Sequence, residues 1–471
     1  MVFSSLTFLC VFLPVVFLLA LAIRNIRWQN VMLMVASLLF YAYGEPAYVV
    51  LMIVISVMSY VFGRAIGATE VPSRRKLYAG IAILVALACL GIFKYGEWFT
   101  GMLGQLIGES MAIAGIALPV GISFYTFQAI SYIIDVYRRD VPPQRNLLHV
   151  VLYISFFPQL IAGPIIRYHD VDQQLAHRTI TWEGVSVGLK RFIVGLAKKV
   201  LIADVLAVAV DAIFGAELGD VTAPAAWLAA FAYLLQIYFD FSAYSDMAIG
   251  IARMFGFTYL ENFNYPFTST SIQEFWRKWH ISLSTWFREY LYIPLGGNRK
   301  GRPRTVFNKF MIFFCCGLWH GAAWTFVVWG LIHGFFLLLE EYLPIRKLPK
   351  PVGWVYAMLV VMLAFVLFRA DTFEQGLHFL SQMFVGWGPL TSEAQVLLMG
   401  QLTPLFLFTL VLGAIGSFPW LPKLKERLAT LSVPAQRRAD ALASVACLGL
   451  LVLCLVTLAG GAYSPFIYFR F

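Results

Sequence analysis

Charged residues are scarce in this chain, and its cysteines follow no recognisable pattern. Asp, Glu, Lys and Arg make up 13% of the 471 residues, whereas soluble domains average about 25%. The six cysteines all lie within apolar runs, with neither paired metal-ligand spacing nor a disulfide framework. The low charge excludes an ordinary soluble enzyme. The cysteines give no reason to expect redox chemistry or a metal site.

Apolar residues are abundant: they make up 60% of the chain, and the mean hydropathy is +0.77. Apolar runs of about 20 residues predict an all-α integral membrane protein with roughly ten to twelve transmembrane segments. The formal net charge of +10 is expected from Lys and Arg in cytoplasmic loops, so lipid rather than nucleic acid is the expected partner. The clearer runs cover residues 5–23, 30–43, 47–63, 78–94, 111–134, 190–213, 225–250, 308–340, 352–368, 403–420 and 441–461.

The first apolar run has no positive charge before it, and Arg24 and Arg27 follow it. This pattern predicts an uncleaved first span whose N-terminus lies outside the cytoplasm. Later basic connections, such as those at Arg64 and Arg138, alternate with non-basic ones as that orientation requires. The basic connection 421–440 is then expected to be cytoplasmic.

One membrane-depth stretch, 149–166, is short and is broken by Pro158, Gly163 and Pro164. Irregular backbone survives at membrane depth only inside protein or beside a water-filled cavity. We therefore expect a discontinuous or re-entrant element accompanying the spans. No internal repeat supports an inverted-repeat transporter.

Two aspartates, Asp240 and Asp246, lie in an otherwise apolar span. Each costs roughly 2.5–3.5 kcal/mol at the centre of a membrane helix, so each should face a protein interior or a wet cavity. One interpretation is a polar path or substrate cavity. The other is structural pairing with Arg253, Arg277 or Lys278, and the sequence leaves both open.

Ser271 and Glu274 form a capping-box pattern that predicts a helix over 272–292, ended by Pro294. The charges on this helix require other helices or an interface around it. On such a helix His280 would share a face with residues one turn before and after it, namely Trp276 and Ser284.

A second histidine, His320, lies in the next apolar run. Glycines at small-xxx-small spacing accompany His320 and His333 and predict close approach of another backbone: they are Gly317, Gly321, Gly330 and Gly334. His280 precedes Pro294 by 14 residues, and His320 follows Arg304 by 16. At 1.5 Å per residue both histidines would lie about 21–24 Å from the intervening loop, and hence at matched depth in a hairpin.

The helical rotation predicts that His333 faces away from His320, by about 220°. A lone histidine in an apolar span is usually a hydrogen-bonded packing residue. Two at matched depth favour chemistry, because an imidazole in an apolar cavity stays neutral and suits a general base.

Two stretches, EFWRKWHISLSTWFREYLYIPLGGNR at 274–299 and LWHGAAWTFVVWGLIHG at 318–334, resemble the membrane-bound O-acyltransferase family. The resemblance is strongest to the bacterial branch that O-acetylates alginate. Further resembling stretches lie at 118–138, 156–168, 195–204 and 238–250 and at the end of the chain. The motifs are long and specific.

The resemblance implies one polytopic membrane domain over 1–471, with its motif core at 236–340 and its helices around a central funnel or tunnel. It matches His320 to the family's most characteristic histidine and His280 to the additional histidine of the bacterial branch. It further implies a bacterial inner-membrane enzyme with no bound cofactor and with its N-terminus in the periplasm. Ala323 stands where relatives often carry Asn.

By the same resemblance, an acetyl group moves from cytoplasmic acetyl-CoA or an acyl-carrier thioester to a periplasmic polysaccharide such as alginate, often through periplasmic O-acetylation proteins. We hypothesise that His320 is the general base for the acceptor hydroxyl and that His280 orients or polarises the reacting groups. Candidate substrate-binding residues are Asp246, Asn262, Trp276, Trp279, Ser284 and Trp319. Direct transfer is preferred to an acyl-enzyme, although Ser282 and Ser284 lie nearby.

A basic loop precedes the His320 segment, with Arg299, Lys300, Arg302 and Arg304 and no acidic residue. It suits the phosphates of CoA or an acidic carrier protein, but a loop that only sets topology would look the same. Two other functions also stay open. One is D-alanyl transfer from a carrier protein to a cell-wall polymer, and the other is transport without chemistry.

Overall fold

The computed structural model describes residues 1–108, 117–461 and 465–467. These residues form helices and connecting segments, with no β-strand among them, which confirms the all-α class. They cluster into two compact units. Unit 1 comprises Met1–Phe192 and Ser245–Glu261, and unit 2 comprises Ile193–Tyr244 and Asn262–Phe471. The single domain over 1–471 and the central funnel stay predictions.

The helices that begin in unit 1 bury aromatic and aliphatic side chains. A π-helical turn, Phe8–Phe12, leads into the first of them. They are α1 (Leu13–Ala22), α2 (Ile26–Ala42), α3 (Tyr48–Ala68), α4 (Pro72–Ile107), α5 (Ile122–Arg138), α6 (Leu147–Ser155), α7 (Phe157–Leu160), α8 (Tyr168–Ala176) and α9 (Trp182–Ala197).

The remaining helices begin in unit 2, and the last turns of α11 belong to unit 1. Two π-helical segments, Lys198–Ala203 and Arg288–Tyr292, precede α10 and follow α13. The helices are α10 (Asp204–Phe214), α11 (Ala223–Met254), α12 (Ile272–Lys278), α13 (Ile281–Phe287), α14 (Arg302–His320), α15 (Trp324–Tyr342), α16 (Lys350–Arg369), α17 (Phe373–Val385), α18 (Ser392–Gln401), α19 (Pro404–Gly416), α20 (Trp420–Ala429) and α21 (Val433–Ala459).

Six helices within the described residues are long and apolar enough to cross a membrane, namely α3, α4, α11, α15, α16 and α21. The pair α18 and α19, bent by 62°, makes a seventh if counted as one span. The protein is therefore a multi-pass membrane protein. This count is lower than the ten to twelve predicted segments because several apolar runs form shorter or interrupted helices. The run 190–213 contains the π-helical segment, and the run 111–134 lies partly outside the described residues.

The predicted discontinuous element at 149–166 is observed as a break in unit 1. Helix α6 ends at Ser155, α7 makes one turn, and the backbone after it is irregular, yet the segment is buried. Polar side chains satisfy some of its backbone groups: Ser37 Oγ accepts from Phe157 N at 3.1 Å, and Gln159 Nε2 donates to Tyr153 O at 2.7 Å. Surrounding protein thus allows the break, as irregular backbone at this depth requires.

The predicted single run 308–340 is instead a hairpin of α14 and α15, interrupted after His320. Two glycines make the close packing possible. A Cβ added at Gly317 would overlap the carbonyl oxygen of Phe326, and one at Gly330 would overlap that of Phe313. The small-residue spacing therefore serves backbone contact, as predicted, but the contact lies within one hairpin.

Gly330→Ala is expected to lower the stability of the protein in detergent by about 1–3 kcal/mol, because the new methyl group meets backbone that cannot rotate away. The matched control is Gly91→Ala in α4, where an added Cβ has nothing within 4 Å. Thermal unfolding of both purified variants measures the difference. Equal unfolding midpoints would contradict the close packing of the hairpin.

Candidate functional site

His280 lies at a break between two short helices of unit 2. Helix α12 begins at Ile272 as predicted, and Ser271 Oγ accepts from Glu274 N at 3.0 Å. The predicted continuation to residue 292 is wrong, since α12 ends at Lys278 and His280 has φ 43° and ψ 54°. This left-handed conformation is rare for residues with a side chain and ends an α-helix. The helical face expected to join His280 to its neighbours one turn away therefore does not exist.

Asn262 holds this break in place from a segment 18 residues earlier. Its backbone carbonyl accepts from Ile281 N at 2.9 Å, and its Oδ1 accepts from Ser282 N at 3.2 Å and Ser282 Oγ at 2.8 Å. The same Oδ1 lies 3.2 Å from His280 Nδ1. Such anchoring is what keeps an unfavourable backbone conformation in place.

These contacts determine the tautomer of His280. Asn262 Oδ1 is an acceptor, because the Ser282 backbone N–H donates to it, so His280 Nδ1 must be the donor across the 3.2 Å contact. In a neutral imidazole the lone pair then lies on Nε2. His280 is 0% exposed and lies outside the spanning helices, and burial lowers its pKa to about 3. It is therefore neutral at physiological pH.

His320 is the last residue of α14, beside the hairpin turn, and is 5% exposed. Its ring centroid lies 6.5 Å from that of His280. Trp319 packs against both histidines, with centroid distances of 5.8 Å to His280 and 5.0 Å to His320. The structure thus brings together the two histidines that the sequence paired, although the unbroken helices assumed in that argument are not observed.

A small cavity adjoins His320. Its walls include Trp279, Trp329, Phe365 and Phe368. It offers about 10 Å³ for the centres of water molecules, which is room for about one water. His320 is the one titratable side chain among the described residues that line it. An acetyl thioester is larger than this space.

His333 joins the aromatic cluster beside His320, although the sequence argument turned it away from that residue. It is 0% exposed and packs against Trp276 at 5.2 Å and Trp329 at 5.0 Å between ring centroids. Trp329 in turn lies 5.1 Å from His320, so one indole separates the two histidines. The predicted rotation away from His320 fails because the turn between α14 and α15 resets the helical phase. The signal in the sequence was the spacing of four residues between Trp329 and His333, which places both side chains on one face of a helix.

The other predicted aromatic and hydroxyl residues lie around His280 and His320. Trp279 lines the His320 cavity. Trp276 and Ser284 instead line a neighbouring cavity of about 120 Å³. Roles in substrate binding stay predictions for all of these residues.

Both span aspartates are ion-paired, but with partners other than those predicted. In unit 2, Lys199 Nζ lies 2.7 Å from Asp240 and 2.6 Å from Asp204. In unit 1, Arg191 donates to Asp246 at 2.8 Å. Ion pairing of both aspartates is thus observed, and a substrate-binding role for Asp246 stays a prediction. Asp246 belongs to unit 1, whereas the histidine pair belongs to unit 2.

The four basic side chains predicted to form a loop are exposed, but only Arg299 and Lys300 precede α14, whereas Arg302 and Arg304 lie in its first turn. Among the described residues they form no ion pair. Arg304 donates to Leu295 O at 3.3 Å and lies 5.2 Å from the centroid of Phe307. The segment is accessible to a ligand or a partner, and both sequence interpretations of it stay open.

Glu340, on α15, is a positioning residue that the sequence argument missed. Glu340 is 3% exposed. Its carboxylate accepts hydrogen bonds from the backbone N–H groups of Ile272 and Gln273 at the start of α12. A carboxylate is favourable at a helix N-terminus, and here it ties α12, and therefore the break at His280, to the hairpin. A carboxylate in an apolar run was the signal.

Comparison with known proteins agrees with this arrangement. Residues 141–369 match MBOAT, the membrane-bound O-acyltransferase family. The chain is 41% identical to "Probable alginate O-acetylase AlgI" of Azotobacter vinelandii, with 100% of both chains covered. "Peptidoglycan O-acetyltransferase" of Helicobacter pylori is 34% identical over 81% of this chain and 80% of its own length. "Teichoic acid D-alanyltransferase" of Bacillus subtilis is 29% identical over 50% of this chain and 62% of its own length.

The full-length likeness and the family match agree with the buried histidine pair and with the several apolar helices. The chain is an acyltransferase and belongs to the membrane-bound O-acyltransferase family.

Proposed function

We propose that this enzyme transfers an acetyl group from a thioester donor to hydroxyl groups of a bacterial exopolysaccharide, alginate or a similar polymer. The observation that carries the proposal is the pair His280 and His320, 6.5 Å apart in a buried aromatic enclosure. The relative named as an alginate O-acetylase supports the choice of acyl group and acceptor.

In the proposed reaction, His320 takes the proton of the acceptor hydroxyl as that oxygen attacks the thioester carbonyl. The new C–O bond forms, the C–S bond breaks, and the imidazolium of His320 returns the proton to the leaving thiolate. Because Asn262 occupies the Nδ1–H of His280, the lone pair of its imidazole lies on Nε2. This tautomer suits His280 to orient a hydroxyl donor rather than to donate to an oxyanion.

Direct transfer is preferred to an acyl-enzyme. Ser282 Oγ lies 3.4 Å from His280 Nδ1, but that nitrogen carries a proton and cannot activate the hydroxyl. Ser284 lines a different cavity from His320. A stable acyl adduct on the protein after donor addition would contradict direct transfer.

The donor side belongs to the same proposal. Acetyl-CoA or an acyl carrier thioester supplies the acetyl group from the cytoplasm, and periplasmic O-acetylation proteins assist its delivery to the polysaccharide. The N-terminus then lies in the periplasm and the protein in the bacterial inner membrane. The exposed basic segment 299–304, which ends in the first turn of α14, docks the acidic donor or carrier. Neutralising its four charges should weaken donor affinity, and unchanged affinity with normal membrane orientation would dispose of that role.

The test uses the purified full chain in nanodiscs, radiolabelled acetyl-CoA and oligosaccharides of alginate. Label in the oligosaccharide, dependent on the protein, is the expected result. If no label appears, acetyl-loaded carrier protein and periplasmic extract are added as donor and partner. Transfer from D-alanyl carrier protein alone would overturn the acetyl assignment in favour of the cell-wall alternative.

Asn262→Ala is expected to lower kcat about 100-fold, because it frees the His280 ring and small displacements of a reacting group are that costly. Asn262→Asp keeps an acceptor oxygen and should recover part of kcat. Its carboxylate should also raise the pKa of His280 and so add a pH dependence absent from the native enzyme. Equal losses in both variants, with unchanged pH profiles, would indicate a structural role only.

A further inference from the structure

Unit 1 contains a second polar feature, away from any role assigned so far. A cavity of about 340 Å³ lies between the α8–α9 connection and the end of α11. Its walls include Arg178, Arg253, Thr181 and Thr258, with no carboxylate among its described lining residues. Its basic and hydroxyl-bearing walls contrast with the aromatic walls around His320.

Arg178 is held rigidly at this cavity. Its Nη1 donates to Asn30 Oδ1 at 2.6 Å, its Nε donates to Phe255 O at 3.2 Å, and the guanidinium lies 4.3 Å from the centroid of Phe257. Its Nη2 is buried and has no hydrogen-bond partner among the described residues. The guanidinium is thus oriented in advance at the cavity wall.

The positive charge of the cavity is not neutralised within the described part of the chain, where neither Arg178 nor Arg253 forms an ion pair. Arg191 and Arg369, by contrast, lie 2.8 Å and 2.7 Å from carboxylate oxygens. Burial lowers the pKa of Arg178 to about 10, which still leaves it charged. Arg253 donates to Thr258 Oγ1 at 2.8 Å and completes a two-guanidinium wall.

The backbone adds to the positive electrostatic potential in the cavity. Thr181 Oγ1 accepts from Gly184 N at 3.1 Å at the start of the 16-residue helix α9, and Gly184 lines the cavity. A helix N-terminus carries partial positive charge. Gly256, also in the lining, has φ +83°, and a Cβ there would overlap the carbonyl oxygen of Thr179.

We propose that this cavity binds a phosphate ester. Two guanidinium groups, hydroxyl donors and a helix N-terminus are the groups that recognise phosphate. Arg178 contacts Asn30, close in sequence to Arg24 and Arg27, whose connection is predicted to be cytoplasmic. Two sources supply such a phosphate ester: the nucleotide part of a CoA thioester and a phospholipid headgroup. Assignment to the acyl donor rests on the proposed transfer reaction, whereas phosphate binding does not.

The experiment measures equilibrium binding to the full chain in phosphatidylcholine nanodiscs, with CoA, 3′-dephospho-CoA and inorganic phosphate as probes. Phosphatidylglycerol nanodiscs and mass spectrometry of retained lipid test the headgroup. The variants are Arg178→Gln and Arg253→Gln, and the matched control is Arg74→Gln, an exposed arginine outside the cavity. Arg253 is exposed, so its substitution should leave folding intact even where Arg178→Gln does not.

Each cavity variant is expected to weaken binding of the recognised probe about tenfold, which is the effect of losing one charge-assisted hydrogen bond, and Arg74→Gln to change it little. Loss of CoA binding identifies the donor, and loss of retained phosphatidylglycerol identifies the headgroup. No binding of any probe, or equal binding by Arg253→Gln and Arg74→Gln, overturns the site. Arginine-dependent binding without acetyl transfer would refute the proposed function and leave this site standing.

Discussion

His320→Ala should lower the rate of acyl transfer by about 10²–10⁴-fold, the usual contribution of a general base, while the protein remains folded. His320 lines the cavity beside His280, and Ala cannot take the hydroxyl proton. The measurement is transfer of label from acetyl-CoA, or from an acetyl-loaded carrier, to the oligosaccharide.

His378→Ala is the control for this substitution. His378 lies on α17 and its Nε2 is 2.8 Å from Leu218 O, so its loss should leave transfer near the native rate. A His320→Ala protein that folds normally and transfers within a few-fold of the native rate would eliminate the general-base role.

Lys199→Met should destabilise the protein by about 3–5 kcal/mol, the cost of removing one partner from a buried ion pair. Lys199 is 1% exposed and bridges Asp240 and Asp204. Asp240 also accepts from the backbone N–H of Ile467 at 2.9 Å. Without the lysine, two carboxylates share a buried site with no ion-pair partner among the described residues.

Thermal unfolding in detergent measures this effect, with Lys425→Met on the exposed face of α20 as the control. Adding Asp204→Asn and Asp240→Asn to Lys199→Met should restore most of the lost stability, because the uncompensated charges are then gone. An unfolding midpoint unchanged by Lys199→Met would show that the buried cluster contributes nothing to the fold.

Local patterns predicted the features whose cause is local. Ser271 and Glu274 are close enough in the chain to cap α12, and the helix begins at Ile272 as expected. Pro158 and Gly163 disfavour a continuous helix, and the stretch around them is broken. In each case the deciding groups lie within a few residues of the effect.

The partners of Asp240 and Asp246 could not be predicted from neighbouring residues. The basic residues considered, Arg253, Arg277 and Lys278, all follow the aspartates in the chain, whereas the observed partners Lys199 and Arg191 precede them by 41 and 55 residues. Which helix supplies the counter-charge depends on how the helices pack, and the amino-acid composition does not determine that packing.

By itself the sequence determined that this is a helical membrane protein, where many of its helices begin, and that His280 and His320 belong together. Only the tertiary structure decided that His280 stands at a break in the left-handed region, since no local glycine or proline marks it and the stabilising acceptor is Asn262. It also decided that His333 joins the same aromatic cluster, because a turn after His320 reverses the chain. Both outcomes depend on contacts between helices, whose free energy outweighs local helix propensity.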